Sequence, residues 1–181
     1  MASSARAFAL QLELRPSRID LQGVGVFAVR NIMRGRKIAD GIAEEDFESL
    51  IPWREFKTYD TKVQNKIMAF CIGTPDGFIP PPDNDFDKLS IEWYLNHSCE
   101  GNCGFDLEGD FVALRNIGEG EEIYYDYALI ETNPQFSMRC DCGGAKCRHL
   151  ITGNDWKSED FAARHREYMH PRLRRLLPVH A

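Results

Sequence analysis

The segment from Tyr94 to Cys103, which reads YLNHSCEGNC, concentrates side chains that can do chemistry. Its last eight residues bring together amide, imidazole, hydroxyl and thiol side chains. Burying such groups is costly unless each of them has a hydrogen-bonding partner. The segment is therefore predicted to be a functional site, and its chemistry depends on what the rest of the chain brings to it.

Three further thiols lie close together in the segment CDCGGAKC, from Cys140 to Cys147. The two glycines inside it, Gly143 and Gly144, would let the chain fold back so that all three thiols face one centre. A tetrahedral zinc ion takes four ligands, and a site closed by four cysteines is structural because no position is left open. Such a site would stabilise a short segment that has little core of its own.

The fourth ligand must come from elsewhere in the chain. Cys99 and Cys103 are both candidates, and Cys71 is a more distant one. The alternative for the six cysteines is a set of free thiols or a disulfide. Because the apolar part of the segment from Met1 to Leu10 is too short and broken for a secretory signal, metal binding is favoured over disulfides.

The composition is that of an ordinary globular domain, with 181 residues, 43% hydrophobic and 28% charged. The absence of a long apolar run argues against a transmembrane helix. Together with the missing signal, it predicts an intracellular protein, in the nucleus or the cytoplasm. The net charge is −6, and residues 151–181 carry a positive excess, so the rest of the chain is more acidic still. An acidic body argues against nucleic acid as the main partner and is compatible with a basic peptide.

Local patterns predict mainly strands with a few short helices. Alternating leucines and polar residues favour a strand over 10–14, ended by Pro16, and a second strand enters through a glycine turn over 23–29. The other expected elements are helices over 44–50 and 61–70, a short hairpin near Phe78-Ile79, a strand over 105–114 turned at Glu108-Gly109, a strand end at 123–127, and a helix from Asn154 or Ser158 to Met169 that is stopped by Pro171.

An internal echo links residues 28–38 with residues 113–123, at a constant offset of 85 and with six of eleven positions identical. Both copies read as strand, turn and strand, and Gly35 and Gly120 relax the two turns. The echo therefore predicts two similar β-hairpins within one domain of small sheets.

Four segments, taken in order, resemble the motifs of the SET-domain protein lysine methyltransferases. Gly23–Ala28 resembles the family's glycine-rich strand entrance, Asn96–Cys103 its Asn-His-Ser-Cys motif, Gly120–Tyr127 its Gly-Glu-Glu motif ending in Asp-Tyr, and Cys140–Cys147 its post-SET motif. The resemblance covers about residues 10–152. It implies a mainly β fold with short helices, the β-clip-like SET fold, in which small curved sheets surround a pseudoknot, plus a C-terminal helix.

The same resemblance implies how the chain is divided. Residues 10–135 would form the SET domain, with a variable insert over about 41–88; residues 136–152 would form the post-SET zinc-binding segment, and residues 153–181 a C-terminal helical extension. No cysteine-rich zinc cluster precedes Gly23, so we expect a minimal SET plus post-SET unit.

The resemblance also assigns roles to single residues. Tyr127 would be the catalytic tyrosine, and the alternative is a core tyrosine with a satisfied hydroxyl. Tyr125 would occupy the position at which a tyrosine restricts the room for the substrate lysine and favours mono- or dimethylation. The alternative is that Tyr125 only packs against other aromatic side chains. The residues implied to bind S-adenosylmethionine (SAM) are Gly23, Gly25, Phe27, Tyr94, Asn96, His97, Tyr127 and Leu150.

The implied zinc ligands are Cys99, Cys140, Cys142 and Cys147. Cys103 would then be a buried thiol, while Ser98 and Asn102 would satisfy backbone groups of the pseudoknot. The family's insert also contributes an aromatic residue to the active site, for which Tyr59, Phe70 and Phe78 are candidates.

The implied function is SAM-dependent transfer of a methyl group to a lysine side chain of a protein, for example of a histone tail. Acidic residues of the insert, such as Glu44 and Glu45, would favour a basic peptide unless they are simply solvated. The alternative is a SET-fold binding module that recruits a protein partner without catalysis. A weaker possibility is that Arg172, Arg174 and Arg175 contact nucleic acid. The sequence gives no indication of the oligomeric state.

Overall fold

The computed structural model describes residues 10–178, so most of the segment from Met1 to Leu10 and the last three residues of the predicted extension lie outside it. Within this range the strands are β1 (Leu12–Pro16), β2 (Val24–Ala28), β3 (Lys37–Ala39), β4 (Ile51–Pro52), β5 (Ile72–Thr74), β6 (Gly77–Ile79), β7 (Asn96–His97), β8 (Cys103–Phe105), β9 (Phe111–Ala113), β10 (Glu122–Tyr125), β11 (Ser137–Arg139) and β12 (Leu150–Thr152). The α-helices there are α1 (Trp53–Phe56), α2 (Thr61–Phe70), α3 (Glu159–His165) and α4 (Pro171–Arg174), and the 3₁₀ helices are Glu44–Ser49, Pro82–Asn84, Ile91–Tyr94, Tyr127–Leu129, Asp155–Lys157 and Arg166–Tyr168. None of the described helices has the length and apolar character needed to cross a membrane.

The main sheet has the strand order β1-β2-β10-β8-β9-β3, and β7 also pairs with β10. Strand β2 is buried from Gly25 to Ala28, flanked by β1 and β10, which pair with it antiparallel. The predicted first strand is confirmed, but it runs over 12–16, and Pro16 is its last paired residue, opposite Val24. Proline is tolerated there because β1 is an edge strand. The expectation of a mainly β fold with short helices is confirmed.

The two echo segments pair with each other, so the prediction that they form two similar β-hairpins was wrong. For each of the following hydrogen bonds donated by the first segment to the second, the equivalent residue of the second segment, 85 positions later, donates one to the first. These reciprocal bonds run from Gly35 N to Ala113 O, from Gly120 N to Ala28 O, from Arg34 N to Asn116 Oδ1 and from Glu119 N to Asn31 Oδ1. The turns at Gly35 and Gly120 are confirmed, with φ of +77° and +75°. A sequence repeat predicts similar local conformations but not which strands pair.

Strand β10 runs parallel to β7 and β8 and thereby passes beside the Asn96–Cys103 segment. Fully buried Asn102 fixes this crossing. Its Oδ1 accepts a hydrogen bond from Tyr124 N (3.0 Å), and its Nδ2 donates to Glu122 O (2.8 Å). Ser98 Oγ accepts from a backbone N–H of its own loop. The predicted backbone role of Ser98 and Asn102 is confirmed.

Residues 41–88 contain a separate three-stranded sheet, of order β4-β6-β5, and helix α2. Their small core consists of Ile51, Phe56, Ile67 and Phe78. The predicted hairpin is confirmed as β5–β6 and the helix over 61–70 as α2, whereas the stretch predicted helical over 44–50 is a 3₁₀ helix. Ile67 is the one buried residue of α2, so the C-terminal end of this helix leaves Met68 and Ala69 exposed.

The C-terminal extension packs against the main core. Its predicted single helix is split: α3 begins after the N-cap Ser158 and ends at His165, and Pro171 begins α4. Proline favours the first position of a helix, which explains why it starts an element here instead of only ending one. The buried apolar residues that this region adds to the main core are Phe161, Ala162, Met169, Leu173 and Leu177.

The three arginines considered for nucleic-acid contact are engaged with the protein itself. Arg174 donates to backbone carbonyls, including that of Asp106 (3.1 Å). Arg172 and Arg175 form ion pairs with Glu44 of the insert. These arginines thus join the C-terminal extension to the insert and to the end of β8.

Candidate active site

Tyr127 is the first residue of the 3₁₀ helix Tyr127–Leu129, and Asp126 alone separates it from the end of β10. Asp126 caps this turn, because its Oδ1 accepts a hydrogen bond from Ala128 N (3.0 Å). The Tyr127 hydroxyl donates to Leu95 O (3.2 Å), and the ring centroid lies 5.1 Å from that of His97. Burial raises the pKa of Tyr127, so its hydroxyl stays protonated at neutral pH.

His97 connects Tyr127 to the cysteines. Its Nδ1 accepts a hydrogen bond from Tyr127 N (3.1 Å), and its Nε2 lies 3.5 Å from Cys99 Sγ. Burial lowers the pKa of His97 to about 4, so the ring is neutral at pH 7. Because Nδ1 accepts, the ring proton must sit on Nε2, where it points toward the sulfur of Cys99.

The buried Asp126 carboxylate is paired with Arg148. The two terminal nitrogens of Arg148 donate to the Asp126 oxygens at 2.6 and 2.7 Å, a bidentate arrangement. Arg148 Nε also lies 3.0 Å from Asp155 Oδ2, a charge contact without hydrogen-bond alignment. The backbone N–H of Arg148 donates to Cys99 Sγ (3.3 Å). Arg148 therefore ties the Tyr127 turn to the cysteines and to the C-terminal extension.

Two cavities meet at Tyr127. The larger has a volume of about 450 Å³ and the smaller about 80 Å³. Both are lined by Met68, Ala69, Tyr127 and Phe136, so these four residues form the boundary between them. The first two come from the exposed end of α2 and the last from the loop before β11.

The larger cavity collects three of the eight residues predicted to bind a cofactor, namely Asn96, His97 and Tyr127. Asn96 Nδ2 also donates to Val24 O (2.9 Å), which links the cavity to β2. The charged side chains in its lining are Asp20, Arg139 and Asp141.

The other predicted cofactor residues do not line this cavity in the structure: Gly23, Gly25, Phe27, Tyr94 and Leu150. Gly25 is still next to it, because a Cβ at this position would lie 3.2 Å from Asn96 Nδ2. Phe27 is buried in the sheet with two arginine guanidinium groups over its ring. Leu150 is half-exposed and pairs with Arg139 across β11 and β12.

The smaller cavity has mostly apolar and aromatic walls, which include Trp93, Phe111, Tyr125 and Ile130. The Tyr125 ring lies 5.2 Å from that of Phe111 and 4.9 Å from that of Tyr127, measured between centroids. Burial raises the pKa of Tyr125 well above its ordinary value, so its hydroxyl is neutral. Of the three candidate aromatics of the insert, Phe70 lines this cavity.

Several lining residues were not found from the sequence, among them Asp20, Phe136 and Glu131. Asp20 comes three residues before Gly23, and Phe136 lies between the Asp-Tyr motif and the cysteine segment. Their closeness to two motifs was the available signal. For Glu131 the sequence offered a single signal, its position four residues after Tyr127.

The sulfur atoms of Cys99, Cys140, Cys142 and Cys147 lie within 4.8 Å of one another. Cys140 Sγ is 3.8 Å from Cys99 Sγ and 3.7 Å from Cys147 Sγ. Zinc–sulfur bonds of about 2.3 Å place the sulfurs of a tetrahedral site about 3.8 Å apart, so the cluster can bind zinc. Of the candidates for the fourth position, Cys99 joins the cluster, and Cys103 is buried in the main core. No disulfide joins these cysteines.

Comparison with known proteins agrees with this arrangement. The family model described as SET domain matches residues 23–128. Similar proteins include "Histone-lysine N-methyltransferase 2B" of Homo sapiens, 29% identical over 149 residues, or 74% of this chain and 5% of that protein. "Histone-lysine N-methyltransferase TRX1" of Oryza sativa is 29% identical over 90% of this chain and 16% of its own length. "Histone-lysine N-methyltransferase ASHR3" of Arabidopsis thaliana is 36% identical over 65% of this chain and 25% of its own.

This chain therefore spans a quarter or less of the length of these relatives. The region that the family model matches carries β2, the Asn96–Cys103 segment, β10 and Tyr127. Since the family model covers more than half of the chain, the chain belongs to the SET-domain family.

Proposed function

We propose that this chain is a SAM-dependent protein lysine N-methyltransferase. The observation that carries the proposal is the position of Tyr127 at the boundary between a large polar cavity and a narrow aromatic one. A methyl donor in the first and a lysine side chain in the second would face each other across this boundary. Methyl transfer needs such an in-line approach, and positioning supplies much of the rate gain in reactions of this kind.

The larger cavity suits SAM in its charges. SAM carries an ammonium, a sulfonium and a carboxylate, and the cavity lining offers two carboxylates, Asp20 and Asp141, and one guanidinium, Arg139. Asn96 and His97 would hold the cofactor at the end nearest Tyr127. When bound, SAM supplies an electrophilic methyl group. The additional contacts of Gly23, Gly25, Phe27, Tyr94 and Leu150 with SAM stay predictions.

The smaller cavity suits the side chain of lysine. An ammonium group, with an ordinary pKa of about 10.4, loses stability among apolar walls, which favours the neutral amine. The Tyr127 hydroxyl, held by Leu95 O, would align the amine and contact the methyl group weakly through its oxygen. Tyr125 narrows the cavity, so we expect mono- or dimethylation.

We further propose that the four clustered cysteines hold one structural zinc ion. A closed set of four thiolates leaves no position for a substrate. Cys99 Sγ accepts a hydrogen bond from Arg148 N and faces His97 Nε2. A metal bound to Cys99 would therefore help to hold Arg148 and His97 in place beside the turn that carries Tyr127. Measurement of the metal content of the purified protein should give one zinc per chain, and Cys142→Ser should lower it.

The names of the relatives support a histone as the substrate class. Two further similar proteins, from Chaetomium globosum and Cryptococcus neoformans, are named "Histone-lysine N-methyltransferase, H3 lysine-4 specific". The acidic body of the chain is compatible with such a basic tail. We propose a lysine-containing protein as partner, in the nucleus or cytoplasm, and the division into SET domain, post-SET segment and extension as predicted.

The test is incubation with radiolabelled SAM and a panel of histones, ribosomal proteins and cell lysate, followed by peptide mapping. Label is expected on lysine. Tyr127→Phe should abolish most of it, whereas the control Tyr124→Phe, a neighbouring tyrosine outside both cavity linings, should not. Failure to bind SAM in calorimetry would favour a binding module that recruits a partner without catalysis.

A further inference from the structure

Glu131 is a buried carboxylate with no role so far in the proposed methyl transfer. It is 7% exposed and lines the smaller cavity together with Tyr125 and Tyr127. Within the described part of the chain, no ion pair joins it to a Lys, Arg or His side chain. A buried carboxylate without a cation is unfavourable, and such groups are concentrated at functional sites.

Backbone groups hold this carboxylate in place. Its Oε2 accepts a hydrogen bond from Gly73 N and its Oε1 from Asn133 N, both at 2.8 Å. A Cβ at residue 73 would lie 2.4 Å from Oε1, so the close approach requires glycine there. A carboxylate has about four acceptor positions, and these two bonds leave positions free on both oxygens. The group is therefore fixed in orientation and still able to accept a proton.

The proposed reaction needs such an acceptor, because lysine arrives from water as an ammonium ion and attacks as a neutral amine. We propose that Glu131 is the general base that deprotonates the substrate lysine in the smaller cavity, an inference that rests on the proposed methyltransferase function. An N–H bond of the ammonium breaks and the proton joins a carboxylate oxygen of Glu131. The electron pair stays on nitrogen as the nucleophile, and the carboxyl group returns the proton to solvent after the product leaves.

The protonation behaviour of the cavity supports this role. Burial raises the pKa of Glu131 to about 7, and a base works best when its pKa lies near the operating pH. The other titratable groups in the lining are Tyr125, Tyr127, Cys71 and Glu92. Burial raises the pKa of both tyrosines and of Cys71, so these three groups are neutral around pH 7. Glu92 is the second carboxylate of the lining.

A purely structural role must be separated from catalysis, because Glu131 also fastens the insert to the main core through Gly73. Loss of a fastening would lower the rate at every pH. Loss of a base would lower it most where lysine is protonated and least where solution hydroxide has already removed the proton. The pH dependence of the variant's rate therefore distinguishes the two roles.

The experiment measures the rate of methyl transfer against pH, with SAM and the panel protein that the wild-type chain labels most strongly. The wild-type rate should rise through about pH 7 and then level off. Glu131→Gln should be slower by about 100-fold at pH 7 and recover as the pH approaches about 10, where lysine deprotonates in solution. Glu108→Gln, at an exposed glutamate outside both cavity linings, is expected to keep the wild-type profile.

A rate for Glu131→Gln that falls by the same factor at every pH, or that equals the wild-type rate, overturns the proposal. A pH profile that changes equally in Glu108→Gln overturns it as well. If Glu131→Gln does not fold, Glu131→Asp provides the test. The displaced carboxylate should move the midpoint of the pH–rate profile, and an unmoved midpoint would contradict the role of Glu131 as the base. Absence of transfer by the wild-type chain would instead refute the methyltransferase function, and is seen before any variant is made.

Discussion

Replacing Arg148 with methionine is expected to destabilise this protein strongly, because it removes the cation that compensates a buried carboxylate. The Asp126 side chain is 3% exposed and receives two hydrogen bonds from Arg148, at 2.6 and 2.7 Å. Methionine fills much of the same volume but leaves the carboxylate unpaired. Breaking a buried pair by removing one partner costs about 3 to 5 kcal/mol. Because the Arg148 side chain is 27% exposed, we expect the lower end, about 3 kcal/mol.

Urea denaturation at pH 8 measures this loss as a decrease in the free energy of unfolding. The matched control is Arg164→Met, which breaks an exposed arginine–aspartate pair and should have little effect. The double variant Asp126→Asn/Arg148→Met, which removes both charges, should recover much of the stability. Asp126 also caps the turn that carries Tyr127, so the single variant should lose methyl transfer at temperatures where it is still folded.

Equal stabilities of Arg148→Met and Arg164→Met would contradict this prediction, since the buried and the exposed ion pair would then contribute alike. A double variant less stable than Arg148→Met would refute it as well. Such a result would mean that the buried Asp126 carboxylate does not destabilise the fold when Arg148 is absent.

Three other predictions concern the metal, the product and the charge of the smaller cavity. Zinc removal by a chelator should lower both the melting temperature and the affinity for SAM in calorimetry, because Cys99 contacts His97; unchanged affinity would contradict this. Tyr125→Phe should raise the methylation state found by mass spectrometry, and mostly trimethylated product from the wild-type chain would speak against the role of Tyr125. The pKa of Glu131 is raised in the folded state, so its contribution to stability is largest at low pH and is lost as the pH rises through about 7. The free energy of unfolding of Glu131→Gln should therefore lack this decrease, which is about 3 kcal/mol in the wild-type chain.

The parts of the site that sequence predicts well are those in which local chemistry leaves few choices. Three cysteines around two glycines indicate a metal-binding site, and the Asn96–Cys103 segment indicates a polar junction. Neither prediction depends on the residues that separate the two segments. The choice of Cys99 over Cys103 followed from the family resemblance, and the sulfur distances agree with it. The cysteine spacing alone had left both candidates open.

What the sequence could not predict depends on contacts between distant segments. The reciprocal pairing of the two echo segments arises from the sheet order, which no local pattern contains. Glu131 belongs to no motif, and its burial follows from β5 of the insert packing over it at Gly73. Pro171 was expected to stop a helix and instead begins one, because packing of Leu173 and Leu177 against the main core holds the last turns in place.

The most direct test of the proposed methyltransferase function is mass spectrometry of histone H3 after incubation with SAM and the wild-type chain or Tyr127→Phe. We expect the wild-type chain to add methyl groups to lysine, and Tyr127→Phe, which keeps the ring but loses the hydroxyl bonded to Leu95 O, to add almost none. Equal methylation by the two proteins would contradict the role of Tyr127. Absence of lysine methylation by a wild-type chain that binds SAM, on H3 and on every other protein of the panel, would contradict the proposed function itself.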